Sequence, residues 1–148
     1  MHQYTSKTSK TLTPTRENYL RALYQLARSG GGVRLTDLAN TQGVRLPTAR
    51  HAVDCLRDAG LVQQESYGLI TLTDYGRTLG RSICDRFDLI RKFLIEVLGV
   101  SECAAEREAC IMEHHLDVDT LNRIAAFVTQ HAGVAAAQPR EEFIPASA

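Results

Sequence analysis

The order of the elements between residues 35 and 72 constrains the fold more strongly than any other feature of this sequence. A short amphipathic segment ends at Gly43, and Pro47 then opens a second helix, because proline is favoured in the first helical turn. That helix ends at Gly60, and two β-prone runs follow around a turn that contains Gly68. Two helices joined by a glycine turn and followed by a hairpin are typical of a winged helix-turn-helix domain.

Apolar residues recur at helical spacing both before and after this unit. The predicted helices begin at or directly after Pro14, Thr36, Pro47, Thr73, Ser101 and Asp117. We expect the second to end at Thr41, the fourth at Leu98 and the fifth at His115. The predicted fold class is mainly α with a small β-hairpin, and it comprises an N-terminal winged helix-turn-helix plus a C-terminal helical dimerisation domain.

Composition indicates where the domains begin and end. Residues 1–12 are predicted to be a flexible arm and residues 133–148 a loose tail. Residues 13–73 are predicted to form the winged helix-turn-helix domain, and residues 74–132 a second, helical domain. No apolar run reaches the roughly 20 residues that cross a bilayer, and no secretory signal is present. We therefore expect no membrane partner and a cytoplasmic location.

The charge is balanced overall but not along the chain. The 148 residues include 17 basic and 17 acidic side chains. Residues 1–74 hold nine Lys or Arg and six Asp or Glu, an excess of three positive charges, and the remainder holds the opposite excess. A basic half suits a nucleic-acid face, while overall neutrality limits nonspecific affinity for phosphates. Double-stranded DNA is thus the expected partner of the N-terminal half.

The third predicted helix carries the candidate base-reading residues. Thr48, Arg50 and His51 lie in its first turns, where a recognition helix contacts base edges in the major groove. Arg50 can either bind a guanine bidentately or grip a phosphate, and Pro47 can pack against a thymine methyl. Further DNA contacts are predicted for Arg34, Arg45 and Tyr67. The alternative is that these residues form an ordinary solvated helix face, with the tyrosine an ordinary turn residue.

A single winged helix reads only a few base pairs, so regulators of this kind usually act as dimers on a double-stranded operator. The C-terminal half of the chain contains three apolar helices, which are more than so small a domain can bury. A second copy would cover the excess apolar surface. The sequence therefore predicts a homodimer.

Several stretches of the sequence resemble the diphtheria toxin repressor/manganese repressor family of metal-responsive transcription regulators. They are TPTRENYL at 13–20, PT at 47–48, LTDYGR at 72–77, RKFL at 91–94 and EACIMEHHL at 108–116. The resemblance covers about residues 13–130, and the length is similar to that of the manganese type. It implies a homodimeric repressor whose DNA affinity rises when divalent iron or manganese binds.

The resemblance also implies a metal site built around the 108–116 stretch. Cys110, Glu113 and His114 match the family's ligands there, and their spacing places them on one helical face. The amide of Asn18, at a first-helix ligand position, would complete a site for one divalent transition metal per subunit. Iron, zinc, cobalt and manganese are the candidates, and a thiolate disfavours manganese among them.

Four positions depart from the family's ligand pattern. Arg21 stands where the manganese type has Glu, and Phe87 replaces the ligating His of the long helix. Arg91 and Glu106 replace a Glu and a His of the iron type. Neither a phenyl ring nor a guanidinium can coordinate a cation, so the family's two-metal site is not expected. Either one ion still binds, or metal sensing is lost and Arg21 pairs with Glu113 instead.

Other functions compete with a metal-dependent repressor. If the metal is lost, the regulator is constitutive, senses oxidation through Cys110 or binds another ligand. A second possibility is a winged helix that contacts only proteins. An enzyme that uses Cys110 or a hydrolytic metal is the distant alternative, since the sequence has no G-x-S-x-G, H-E-x-x-H or phosphate loop. We therefore predict no enzymatic activity and no small organic substrate.

Overall fold

The structure is a computed structural model that describes residues 12–66 and 68–131. The predicted arm and tail and the predicted contact Tyr67 lie outside the described residues, apart from Leu12 at the end of the arm. The helices are α1 (Pro14–Ala27), α2 (Leu35–Gln42), α3 (Leu46–Asp58), α4 (Asp74–Lys92), α5 (Glu102–Met112) and α6 (Val118–Gln130). The strands are β1 (Val62–Gln64) and β2 (Ile70–Leu72). The predicted mainly α chain with a small hairpin is confirmed.

The chain divides into two compact units, which meet in the sequence between Arg86 and Phe87 within α4. The N-terminal unit holds α1 to α3, the hairpin and most of α4. Its core is formed by residues from all of these elements, among them Leu20, Leu38, Leu56, Val62 and Ile83. Burial of this apolar surface holds the three short helices together, because helices of this length are marginal on their own.

The hairpin of this unit is antiparallel, and Gln64 lies opposite Ile70. Val33, in the loop after α1, forms an isolated bridge to Ile70, with two backbone hydrogen bonds of 2.8 Å. The wing is therefore tied to the loop that precedes α2. The sequence did not indicate this bridge, because one residue is too short to show β periodicity.

Two glycines fix the turns of the N-terminal unit. Gly43 ends α2 in the left-handed conformation with φ of 63°, which a residue with a Cβ adopts only at a cost. Gly76, in the first turn of α4, lies so close to the carbonyl of Leu61 that a Cβ would overlap it. Thr73 caps α4 as predicted, since its Oγ1 accepts from the backbone N–H of Gly76 at 3.0 Å.

The C-terminal unit consists of the end of α4, a π-helical segment (Phe93–Val97), α5 and α6. Its core includes Phe87, Ile90, Ala105, Ala109 and Leu121. Ser101 caps α5 as predicted, because its hydroxyl accepts from the N–H of Ala104. No helix in the described ranges is long and apolar enough to cross a membrane.

Several predicted helix boundaries differ from the structure. Helix α2 ends at Gln42 rather than Thr41 and α3 begins at Leu46 rather than Pro47, and three larger differences follow. The N-cap of α2 is Arg34 rather than Thr36, and the two additional helical residues are accompanied by a contact from Arg34 to Asp37. The long helix is regular only to Lys92, after which the backbone bonds widen to the π pattern. The fifth helix ends at Met112 and not at His115, since the chain turns there.

Candidate nucleic-acid interface and metal centre

Helix α3 has one buried face and one exposed face. Ala49, Ala52, Val53 and Leu56 are buried against the rest of the N-terminal unit. The predicted base-reading residues Pro47, Thr48 and His51 are exposed, and Arg50 is half-buried. The first turns of α3 therefore present polar side chains outward on a helix that is fixed by its opposite face.

Two residues before this surface extend it. Arg45 is exposed at the N-cap of α3, and its side chain makes no capping bond there. Leu46, the first residue of the helix, is 47% exposed although it is apolar. We did not predict Leu46 as a contact. Its position directly before Pro47 could have indicated a contact, because an apolar side chain there can pack against a thymine methyl in the major groove.

Arg34 has a different environment from the other predicted contacts. Its Nε donates to Asp37 Oδ2 at 3.2 Å across the first turn of α2. Both side chains are exposed, so the pair adds about 0–1 kcal/mol to stability. The positive charge of Arg34 is therefore partly offset by a neighbouring carboxylate.

Arg50 connects the recognition helix to the wing. Its Nη1 donates to Gln64 Oε1 at 3.3 Å, and Gln64 Nε2 donates to the carbonyl of Gly68 at 2.8 Å. A cleft of about 500 Å³ lies beside this chain of contacts. Its lining residues are Arg50, Arg57, Gln64, Glu65 and Ser66. No sequence pattern indicated Gln64, because its contact joins residues 14 positions apart.

The last member of the predicted DNA surface with a described neighbour is His51. Its Nε2 lies 3.8 Å from Cys55 Sγ, one turn further along α3. Cys55 is half-buried and belongs to no disulfide. His51 remains exposed despite this contact.

In the C-terminal unit, two predicted metal ligands lie together. His114 Nδ1 and Glu113 Oε1 are 3.0 Å apart, and both side chains are almost fully buried. They lie in the turn after α5, while Cys110 is half-buried within the last turn of that helix. Among the described residues, Cys110 Sγ does not lie within 4.8 Å of both partners. A buried carboxylate and a buried imidazole at this distance bring two potential metal ligands together.

The fourth predicted ligand, Asn18, lies on α1 in the N-terminal unit and is half-buried. Beside it in the sequence, Glu17 is buried and pairs with Arg86, with Nη2 and Oε2 3.7 Å apart. We did not predict this buried pair. The signal was weak, since a charged residue in an amphipathic helix is usually solvated.

Arg91 and Glu106, which replace ligands of the iron type, form an ion pair. Arg91 Nε donates to Glu106 Oε2 at 3.0 Å and thereby joins α4 to α5. The permanently charged guanidinium satisfies the carboxylate that would otherwise attract a cation. These two positions therefore do not fit a metal ion.

The C-terminal unit also has an apolar groove of about 340 Å³. It is lined by Phe93, Val97, Leu98, Thr120, Arg123, Ile124 and Phe127. The ring of Phe127 stacks on His131 and makes an edge contact with Phe93. At the rim, the hydrogen bond and charge of Asp119 raise the pKa of Arg123. Leu98 is 57% exposed and Phe127 41%, which is unusual for large apolar side chains.

Comparison with known protein families matches both parts of the chain. Residues 11–69 match the iron-dependent repressor N-terminal DNA-binding domain, and residues 73–133 match the iron-dependent repressor metal-binding and dimerisation domain. The predicted winged helix-turn-helix followed by a dimerisation domain is thus confirmed.

Two relatives show the same relationship over most of the chain. The transcriptional regulator MntR of Salmonella typhimurium is 33% identical over 115 residues, which are 78% of this chain and 73% of the relative. The HTH-type transcriptional regulator MntR of Geobacillus kaustophilus is 33% identical over 117 residues, covering 78% of this chain and 82% of the relative.

Solved structures agree with these relatives. A manganese-dependent transcriptional repressor in complex with manganese superposes with a TM-score of 0.70 at 30% identity, covering 77% of this chain and 52% of that one. The manganese regulator SloR gives a TM-score of 0.70 at 25% identity, with 80% and 55% covered. The chain thus spans about half the length of these two solved proteins. The predicted resemblance is confirmed: the chain belongs to the diphtheria toxin repressor/manganese repressor family of metal-responsive transcription regulators.

Proposed function

We propose that this protein is a homodimeric transcription repressor that binds a double-stranded DNA operator through α3. The observation that carries the proposal is the exposure of Pro47, Thr48 and His51 on a helix whose opposite face is buried. A recognition helix needs this combination, because base contacts require a rigid support and polar side chains at its N-terminal turns. A regulator of this kind acts where the DNA is, which is the cytoplasm in bacteria such as those of its relatives.

DNA binding is tested with a duplex selected by the wild-type protein from a random library. Replacement of Arg50 and His51 by Ala is expected to abolish specific binding in fluorescence anisotropy at fixed salt. Arg107→Ala is the matched control, since this exposed arginine of α5 lies in the C-terminal unit. Equal affinity of the double variant and the control would contradict α3 as the reading element and favour a winged helix that contacts proteins.

We further propose that at most one divalent metal binds per subunit. Cys110, Glu113 and His114 offer a thiolate, a carboxylate and an imidazole, a donor set that suits iron(II), zinc or cobalt better than manganese. The buried contact between Glu113 and His114 supports this, because it brings two of the proposed ligand groups together. Asn18 remains the proposed fourth ligand. When bound, the ion would supply a fixed positive charge that holds these donors together.

The metal proposal is tested by elemental analysis of protein purified under reducing conditions with iron, zinc, cobalt or manganese added. Cys110→Ala is expected to lose the metal that the wild type carries. Cys103→Ala is the control, because Cys103 lies on the same helix and is exposed. DNA affinity that does not change with a chelator would show that regulation is metal-independent, and oxidation or another ligand would then be the signal.

The homodimer is proposed to form through the apolar groove between the π-helical segment and α6. Its exposed apolar side chains, Leu98 and Phe127, lie in the part of the chain that matches a dimerisation domain. A second copy of the same surface would bury them, as a two-fold interface requires a self-complementary patch. The family consists of transcription regulators, and we propose no enzymatic activity for this member.

A further inference from the structure

Arg50 is hydrogen-bonded to Gln64 of the wing. Among the described residues, no other predicted base-reading side chain contacts the wing in this way. Arg50 belongs to α3 and Gln64 ends β1, so the contact bridges two separate elements of the DNA-binding unit. The inference below rests on the proposed function, since it concerns how that unit selects its DNA.

Gln64 is itself held at its other end. Its Nε2 donates to the carbonyl of Gly68 at 2.8 Å, and the N–H of Gly68 donates to the carbonyl of Glu65, also at 2.8 Å. The amide can therefore not turn without breaking a bond to the wing turn. With the amide fixed, its Oε1 offers Arg50 an acceptor in one defined place.

This acceptor restricts the arginine. A free arginine side chain samples many rotamers, and ordering it costs conformational entropy. One N–H of the guanidinium donates to Gln64, and its other N–H groups remain available to a second acceptor. Bidentate recognition of guanine depends on the orientation of the guanidinium plane, whereas attraction to a phosphate does not.

The charges around the cleft favour base reading over a phosphate grip. Arg57 is compensated by Asp54, with Nη2 and Oδ1 2.9 Å apart. Glu65 adds a carboxylate to the cleft lining. The surroundings of Arg50 are thus close to neutral, and a phosphate would gain little there beyond the single guanidinium.

We propose that Arg50 is a specificity-determining residue that reads a base edge, and that Gln64 is a positioning residue that fixes its guanidinium from the wing. Gln64 then acts on sequence preference through Arg50 and not through a contact of its own. The wing contributes to base selection even where it touches only the DNA backbone.

The test is a selection from randomised 30-base-pair duplexes, followed by sequencing of the bound pool. Wild type, Gln64→Met, Arg50→Ala and the double variant are compared, with Gln63→Met as control. Methionine matches the length of glutamine without its amide, and Gln63 is exposed at the adjacent position of β1, on the other face of the strand. Thermal melting verifies that each variant is folded.

The expected result is that Gln64→Met weakens discrimination by at least about fivefold at the same base pairs that Arg50→Ala affects. The double variant should resemble Arg50→Ala, because the amide has no effect without the arginine, and Gln63→Met should resemble wild type. The dependence of affinity on salt should be unchanged in Gln64→Met, since no phosphate contact is lost.

Two results would overturn the inference. One is a Gln64→Met pool with the wild-type base preferences, and the other is a reduced salt dependence for Arg50→Ala with unaltered base preferences. Either would leave the proposed function intact, because the wild type would still enrich a motif. A wild type that enriches no sequence refutes the proposed DNA-binding function and this inference with it.

Discussion

Arg91 donates from its Nε to Glu106 Oε2 at 3.0 Å and so joins α4 to α5 within the C-terminal unit. In the iron-type pattern that the sequence resembles, these two positions carry metal ligands. The structure places a charge pair there that is complete without an ion. Because an ion pair replaces two ligands of that pattern, we expect this protein to bind fewer metal ions per subunit than the family pattern implies.

Arg91→Ala is expected to leave the metal content of the protein unchanged, because no ion is held at this pair. The free energy of unfolding should fall by less than about 1 kcal/mol, since Arg91 and Glu106 are 37% and 59% exposed and solvent screens the pair. Elemental analysis and urea unfolding measure the two quantities. A change in bound metal per subunit would show that the pair belongs to a metal site.

Phe127→Lys is expected to weaken the dimer strongly, because a charge would enter the centre of an apolar interface. Sedimentation velocity at micromolar concentration should show a shift to monomer. Thr129→Lys is the control, since Thr129 is an exposed residue of α6 outside the groove lining. Dimers of equal strength in both variants would place the interface elsewhere.

Gly76→Ala is expected to destabilise the N-terminal unit by about 1–3 kcal/mol, as a methyl group there would overlap the carbonyl of Leu61. Gly43→Ala serves as comparison. It has open space around the added methyl but a left-handed backbone, so its cost should be about 1 kcal/mol. Denaturant unfolding compares the two. A smaller loss of stability for Gly76→Ala than for Gly43→Ala would show that the carbonyl of Leu61 does not hinder the added methyl group.

Arg86→Met is expected to cost about 3 kcal/mol or more, because it takes the guanidinium away from the buried carboxylate of Glu17. Exchanging both residues, as Glu17→Gln with Arg86→Met, should recover part of this loss. Urea unfolding of the single and double variants gives the coupling energy. Additive losses would mean that the two side chains do not depend on each other.

Much of the fold could be predicted from the sequence because its signals are local. Gly43, Pro47 and Gly60 mark the ends of α2 and α3, and the apolar spacing between them gives the buried face. The π-helical segment could not be predicted, since Phe93–Val97 has the composition of an ordinary helix. Apolar periodicity reports the spacing of apolar residues and does not distinguish a π turn from an α turn within so short a segment.

The candidate site divides in the same way. The exposure of Thr48 and His51 follows from their phase on α3, and the structure places them outward as predicted. The partner of Arg50 could not be predicted in this way, because Gln64 lies on the wing and contacts Arg50 only in the tertiary structure. The burial of Glu17 could not be predicted from the sequence either, since its partner Arg86 is distant in the sequence.

The π-helical segment has a consequence for how this sequence tolerates insertions and deletions. A π turn carries more residues than an α turn, and here the N–H of Leu98 reaches back to the carbonyl of Phe93. Deleting one residue between 93 and 97 would be absorbed by a return to the α pattern, because the π turn holds one residue more than an α turn. Leu98 would then keep nearly its present direction and would still line the groove with Phe93. The same deletion in the regular part of α4 would instead rotate everything after it by about 100° around the helix axis.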